Sequence, residues 1–332
     1  MIGEALVRVR RGEGVESEHR VAWATTDSGV GGARHAGVAS AAYPGPSVFA
    51  RSAAKPFQAL AGVRAGVPER FGLGPEHLAL ACASHGGGDG HVLRVREILH
   101  AAGRTEADLA CGPAEPRDPA AAAVLREAGG RPSPLRHNCS GKHAFGLALA
   151  VAEGWPVEGY FDAGHPLQDV MEAGVAEATR VERGELAHAT DGCGMQTFSV
   201  PLGRLAAAFG RLASGGLGPA GERLAAAMSM HPELVAYDGA IDTELMRAHP
   251  RLVSKIGAEG VLGIGLPDGR GAALKVLDGA TRALDPVALL LLEESWGLER
   301  AGGPLDRLRD APVVNSRGER VGWADATLAA RA

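Results

Sequence analysis

The sequence predicts an α+β fold, and three observations lead to it. Apolar and polar residues alternate near the N-terminus, as strands require. A long central block repeats its apolar residues at helical spacing, and strand character then returns. Strands at both ends with helices between place the two termini in one antiparallel sheet. On this reading the chain is a single domain over 1–332. Residues 1–86 and 249–332 form its sheet-containing part, and a mostly helical part is inserted from roughly Gly87 to Ala248.

The elements follow in order. "EALVRVRRG" and "EHRVAWATTDSG" alternate around a "GEG" turn and predict a hairpin. "RVRRGEG" is a short cationic patch, read as a solvated strand edge. "ALACAS" reads as an apolar, strand-like run. Helices are predicted at "GHVLRVREILHAAG", "GKHAFGLALAVAEG", "HPLQDVMEAGVAEATR", "PLGRLAAAFGRLAS" and "GERLAAAMSM". "CGPAEPRDPAAAAVL" and "GGRPSP" are Pro/Gly-rich connectors. Gly260 to Gly279 predicts a second hairpin turning at Pro267-Asp268-Gly269, and "DPVALLLLEESWG" a final helix.

Composition narrows the function. The chain has 332 residues, about 45% of them hydrophobic, enough for a sizeable core. A net charge of -5 argues against a nucleic-acid footprint. The start, "MIGEALVRVR", lacks the apolar core of a signal peptide, and the most apolar run, Pro286 to Trp296, is too short to span a bilayer. The expectation is a soluble, cytoplasmic protein without membrane partners. In that compartment the four cysteines, Cys82, Cys111, Cys139 and Cys193, point to metal or catalytic roles rather than disulfides.

Four clusters carry possible chemistry. In "FARSAAKPFQAL" Lys55 follows Ser52 by three residues, so a helix running toward Ala65 sets both on one face. A lysine in apolar surroundings falls from its usual value of about 10.4 toward neutrality and can act as a general base. The spacing can therefore make a nucleophilic serine without histidine. The alternative is an ordinary helix start with a solvated lysine. Ser84 and His85 close the apolar run ahead of a glycine stretch, either as reactive groups or as a solvated loop. The glycines fit no phosphate-loop pattern.

Cys139, Lys142 and His143 crowd a helix start that Ser140 is expected to cap. Asp191 and Cys193 lie in a glycine turn. Two cysteines with His137, His143 and Asp191 nearby could bind zinc, or could be two buried free thiols. Cys82 and Cys111 read as core, and His165 and His188 as surface or capping groups. Lys255 is expected at the edge of a terminal strand, in a Lys255-Ile256-Gly257 triplet where penicillin-recognising enzymes carry K-T-G; the alternative is a solvated lysine.

Taken together, "RSAAKP", "ASHGG", "HNCSGKH", "DGCGMQTFSVP" and "KIGAEGV" resemble, in order and over nearly the whole chain, the rhizobial-type L-asparaginases of the asparaginase II family. The resemblance implies a fold similar to serine β-lactamases and glutaminases, hydrolysis of L-asparagine to L-aspartate and ammonia, and a homodimer. It implies two Ser–Lys tandems, with Ser52 as nucleophile activated by Lys55, and Ser84 with Lys255 relaying protons or sharing the nucleophilic role. It places Arg51, Asp191 and His143 at the substrate, and one zinc ion on Cys139, Lys142 and Cys193. A lysine ligand must be neutral to donate its lone pair. Ile256 departs from the family, which more often has a hydroxyl there. Two other readings remain: an amidase or acyltransferase for another amide, and a zinc-dependent sensor without catalysis.

Overall fold

The computed structural model describes residues 1–26, 45–298 and 303–329. The strands are β1 Ile2–Arg11, β2 Gly14–Thr26, β3 Ser47–Phe49, β4 Ala187–Thr190, β5 Gln196–Pro201, β6 Val253–Gly257, β7 Val261–Gly265, β8 Gly271–Val276, β9 Pro312–Val314 and β10 Arg320–Leu328. The first helices are α1 Lys55–Arg64, α2 Val67–Phe71, α3 Pro75–Ala81, α4 Asp89–Ala101, α5 Pro119–Glu127, α6 Ser140–Glu153 and α7 Pro166–Thr179. Then come α8 Leu202–Ala213, α9 Gly218–Met230, α10 Pro232–Val235, α11 Ile241–Ala248, α12 Leu284–Trp296 and α13 Pro304–Asp310.

Both chain ends enter one seven-stranded sheet, in the order β6-β7-β8-β2-β1-β10-β9. Every pairing in it is antiparallel, which makes the architecture α+β. The first hairpin turns at Gly12-Glu13, and its register slips once between Val9 and Arg10. The last three residues of its second predicted segment lie outside the described residues. The late hairpin is β7–β8. Its turn closes by Gly269 N–H donating to Leu266 O, with Gly269 at φ +91, a conformation that favours glycine.

Helix α8 lies against β2, β7 and β8, while α12 lies against β1, β8 and β10. The five long helices and α12 stand where the apolar spacing puts them, but α12 is not the last helix, since the short α13 follows it. Among the described residues no helix is long and apolar enough to cross a membrane.

Several elements differ from expectation. The apolar run before Ser84 is helix α3, because a short continuous apolar stretch has no period that separates strand from buried helix. The connector at "DPAAAAVL" becomes α5 from Pro119, where the Asp118 carboxylate accepts the Ala120 N–H at 2.9 Å and caps it. A second, three-stranded sheet in the order β3-β5-β4 lies partly within the mostly helical part. Strand β1 is interior rather than an edge, since β10 and β2 flank it. Its arginines form cross-strand ion pairs, Arg8 with Glu18 and Arg10 with Asp325.

Candidate active site

Ser52 sits in a short 3-10 turn, Arg51–Ala54, that feeds into α1. Arg51, just before it, has φ +49, a strained value for a residue with a side chain. The turn rests on β6: a Cβ on Gly257 would stand 2.6 Å from Ala50 O and 3.3 Å from Ala53 N. Glycine at 257 thus lets the Ser52 turn touch the strand that carries Lys255.

Ser84 follows α3 in an irregular segment pinned to the end of α10. Ser84 N–H donates to Val235 O and Gly86 N–H to Ala236 O, both at 2.9 Å. His85 is buried and held neutral, its pKa well below the ordinary value chiefly through burial. Its Nδ1 accepts the Gly87 N–H at 3.1 Å, so Nε2 bears the proton and donates to Ser140 Oγ at 3.0 Å. The Ser140 hydroxyl in turn donates to Leu135 O at 2.8 Å. Ser140 therefore does not cap α6: Cys139 holds the cap position, and Ser140 ties the Ser84 segment to the helix start.

The two lysines meet on Ser84. Lys55 is 1% exposed, Lys255 0% and Ser84 1%. Lys55 Nζ donates to Ala83 O at 2.5 Å, Ser84 Oγ at 3.1 Å and Asn138 O at 3.4 Å. Lys255 Nζ lies 2.9 Å from Ser84 Oγ and donates to Ile256 O at 2.7 Å. Strand β6 is indeed at the sheet edge, yet its lysine is enclosed rather than solvated. Burial brings the Lys255 amine from its ordinary value down to about 7, with Lys55 and Arg117 pushing the same way and Asp242 opposing. Ser52 and Ser84 share one open cleft of about 510 Å³, whose walls also include Arg117, Asn138, Ile256 and Glu259. None of Arg117, Asn138 and Glu259 was a candidate from the sequence: Arg117 lies in the connector before α5, while Asn138 and Glu259 fall within "HNCSGKH" and "KIGAEGV" without standing out as reactive groups.

The remaining residues gather beside these. Arg51 Nε donates to Asp191 Oδ1 at 2.7 Å, an ion pair next to the Ser52 turn. Cys139, Lys142 and Cys193 are all buried, and Lys142 Nζ donates to Cys193 Sγ at 3.2 Å. A hydrogen bond from the Cys139 thiol and the nearby Lys142 charge hold Cys193 as thiolate. Tyr160 Oη accepts the Ala110 N–H at 2.9 Å and shares a 2.6 Å hydrogen bond with His143 Nδ1. The other ring nitrogen of His143, Nε2, is buried without a conventional hydrogen-bond partner, and Cys193 lies nearby.

Among the described residues no three His, Cys, Asp or Glu side chains converge as a metal group requires, so the histidine-containing zinc set is not assembled. What converges is two cysteine sulfurs, which zinc takes readily, and an amine that could join them only on losing its proton. Cys82 and Cys111 are core residues. His165 caps α7, accepting the Leu167 N–H, and His188 is exposed.

The model of the L-asparaginase II family matches residues 7–326, and the chain belongs to that family. A search of curated proteins found no significant match.

Proposed function

We propose that the protein is an L-asparaginase that hydrolyses the side-chain amide of L-asparagine through an ester on Ser52. Family membership supports an amidohydrolase of the asparaginase type. The observation that carries the mechanism is the Ser84 hydroxyl held between two buried amines, at 3.1 and 2.9 Å, on the cleft that Ser52 also lines. The serine β-lactamase type of fold is supported by the antiparallel sheet and by the edge strand β6 touching the Ser-x-x-Lys turn.

Lys55 has three acceptors, the number an ammonium can satisfy. The base at the far end is then Lys255, whose amine, brought down to about 7, is uncharged in a substantial fraction of molecules near neutrality. Ser84 gives its hydroxyl proton to Lys255 as it takes one from Lys55, and the lone pair so freed on Lys55 accepts the Ser52 proton as Ser52 Oγ attacks the amide carbon. Closing the Ser52–Lys55 contact belongs to the substrate complex, since catalytic hydrogen bonds tighten there.

The Lys55 charge and free backbone N–H groups at the helix start stabilise the oxyanion. The proton returns along the same chain to the leaving nitrogen, and ammonia departs. Water then attacks the aspartyl ester, gives its proton to the chain, and L-aspartate leaves with Ser52 restored. Cys139, Lys142 and Cys193 are the residues that would hold zinc, with the His143 ring beside them. A bound zinc ion would supply fixed positive charge next to the site.

An ammonia-release assay on L-asparagine, L-glutamine and a β-lactam tests the activity. L-Asparagine is expected to release ammonia; silence on all three removes the enzymatic reading. Ser52→Ala is expected to lower kcat about a thousandfold or more with the fold intact. Ser84→Ala is expected to cost about a hundredfold, as loss of proton transfer does. If only Ser84→Ala removes the ester seen by mass spectrometry, Ser84 is the attacking group.

A further inference from the structure

Asp242 belongs to no motif and does not line the cleft. It sits in the first turn of α11, fully buried at 0% exposure. Its Oδ1 accepts the Ser254 hydroxyl at 2.7 Å, and its Oδ2 accepts the Ile256 N–H at 2.9 Å. Those two residues flank Lys255 on β6. Oδ2 also lies 3.7 Å from Lys255 Nζ, with both side chains enclosed. One carboxylate thus grips the strand on either side of a single lysine and faces its amine.

A buried carboxylate needs such compensation, because an unpaired one costs several kcal/mol. At about 4 Å in a protein interior, opposite charges still interact by a few kcal/mol. Several other groups face Lys255. Lys55 comes from α1, Arg117 from the connector before α5, and Cys139 from the start of α6. Cys82 and His85 come from the end of α3 and the Ser84 segment, and Asp285 of α12 faces Asp242. Cys82 stays a thiol, pushed up to about 12 by burial, and His85 stays neutral. Lys55 and Arg117 disfavour a charge on Lys255. Asp242 is the strongest influence in the other direction.

We infer that Asp242 is a positioning residue for the reaction, aiming the Lys255 amine at the Ser84 hydroxyl and governing, as the carboxylate beside it, whether that amine is charged. This rests on the reading of Lys255 as the terminal base. Without the clamp the strand could present its lysine in several rotamers. Without the charge the amine would hold its proton less firmly and act as a weaker base near neutrality.

Asp242→Asn separates the two roles. The amide oxygen can still accept the Ile256 N–H and the amide nitrogen can donate to Ser254 Oγ, so the grip survives and only the charge goes. The readout is the pH dependence of kcat/KM, whose acid limb reports the free enzyme's base. In the native protein that limb is expected near neutrality. In Asp242→Asn it should move to lower pH by about one unit or more, while KM stays close to native. Asp242→Glu, which restores the charge, should bring the limb back.

A limb that stays in place in Asp242→Asn overturns the inference. A native profile with no limb near neutrality overturns the Lys255 reading and the inference with it. If Asp242→Asn does not fold, Asp242→Asn/Lys255→Met decides. A recovered melting transition supports the pairing, because the destabilising partner has been removed. A double variant that stays unfolded shows that Asp242 serves the strand alone.

Discussion

Two lysines in this site are equally buried and are driven in opposite directions. Lys255 is lowered, because burial outweighs Asp242 and two further cations stand nearby. Lys142 is raised, because the Cys193 thiolate, Cys139 and Asp191 together outweigh the same burial. Burial alone therefore does not decide the state of an amine; the sign of its neighbours does. For Lys142 a metal cation would replace its proton as the partner of the thiolates, which is the condition a lysine ligand needs. The protein as purified is expected to carry about one zinc ion per chain, the usual content of one sulfur and nitrogen site. Cys139→Ala and Lys142→Met should each lose it, with a lower melting temperature. Metal analysis and thermal unfolding check this without reference to turnover. Native protein that binds no zinc even when supplied with it would remove the metal from the scheme.

At the scale of elements, the site exists where a turn meets a strand. Gly257→Ala puts a methyl group 2.6 Å from Ala50 O, and backbone on both sides must move. Overpacking of this kind costs about 1–3 kcal/mol. A shift of the Ser52 turn by a fraction of an ångström should also cost at least about tenfold in kcat. Thermal unfolding and steady-state kinetics measure the two effects. Unchanged values for both would mean that the turn is not seated on β6.

These elements also show what the sequence carried. The hairpins were legible because turn chemistry at Gly12 and at Pro267-Asp268-Gly269 interrupts clean alternation. The long helices were legible from their apolar stripes. Helix α3 and the small strands β4 and β5 were not, being too short for a period to declare itself. In the site, Ser52, Lys55, Ser84, Lys255, Cys139, Lys142 and Cys193 stood out through dense, reactive motifs. The Lys55–Ser84 hydrogen bond joins residues 29 apart in sequence, and no spacing argument reaches across that gap. Asp242 lay in "AIDTELMRA", where it reads as a polar position on an amphipathic helix. Only its tertiary partners distinguish it.

At the scale of the whole molecule, every proposed catalytic residue lies between positions 51 and 255, yet the sheet beneath them is completed from the C-terminus. Strand β1 pairs with β10 over seven residue pairs, from Ala5–Leu328 to Arg11–Gly322. Helix α12 packs on both strands. Removing residues 312–332 would bare the β1 edge, uncover part of α12 and leave a template for edge-to-edge association. Cross-strand pairs contribute about 0.2–1 kcal/mol each. The loss therefore reaches several kcal/mol, comparable with the ~5–15 kcal/mol net stability of an ordinary domain. The truncated chain is expected to aggregate or lose its cooperative melting transition, and with it all turnover, although no proposed catalytic group has been touched. Size-exclusion chromatography and thermal unfolding read the outcome. A truncated protein that stays monodisperse, melts at the native temperature and keeps its activity would show that the site's frame is built from β6, β7, β8 and β2 alone. The closing of the sheet by its two ends would then contribute nothing to how Lys255 reaches Ser84.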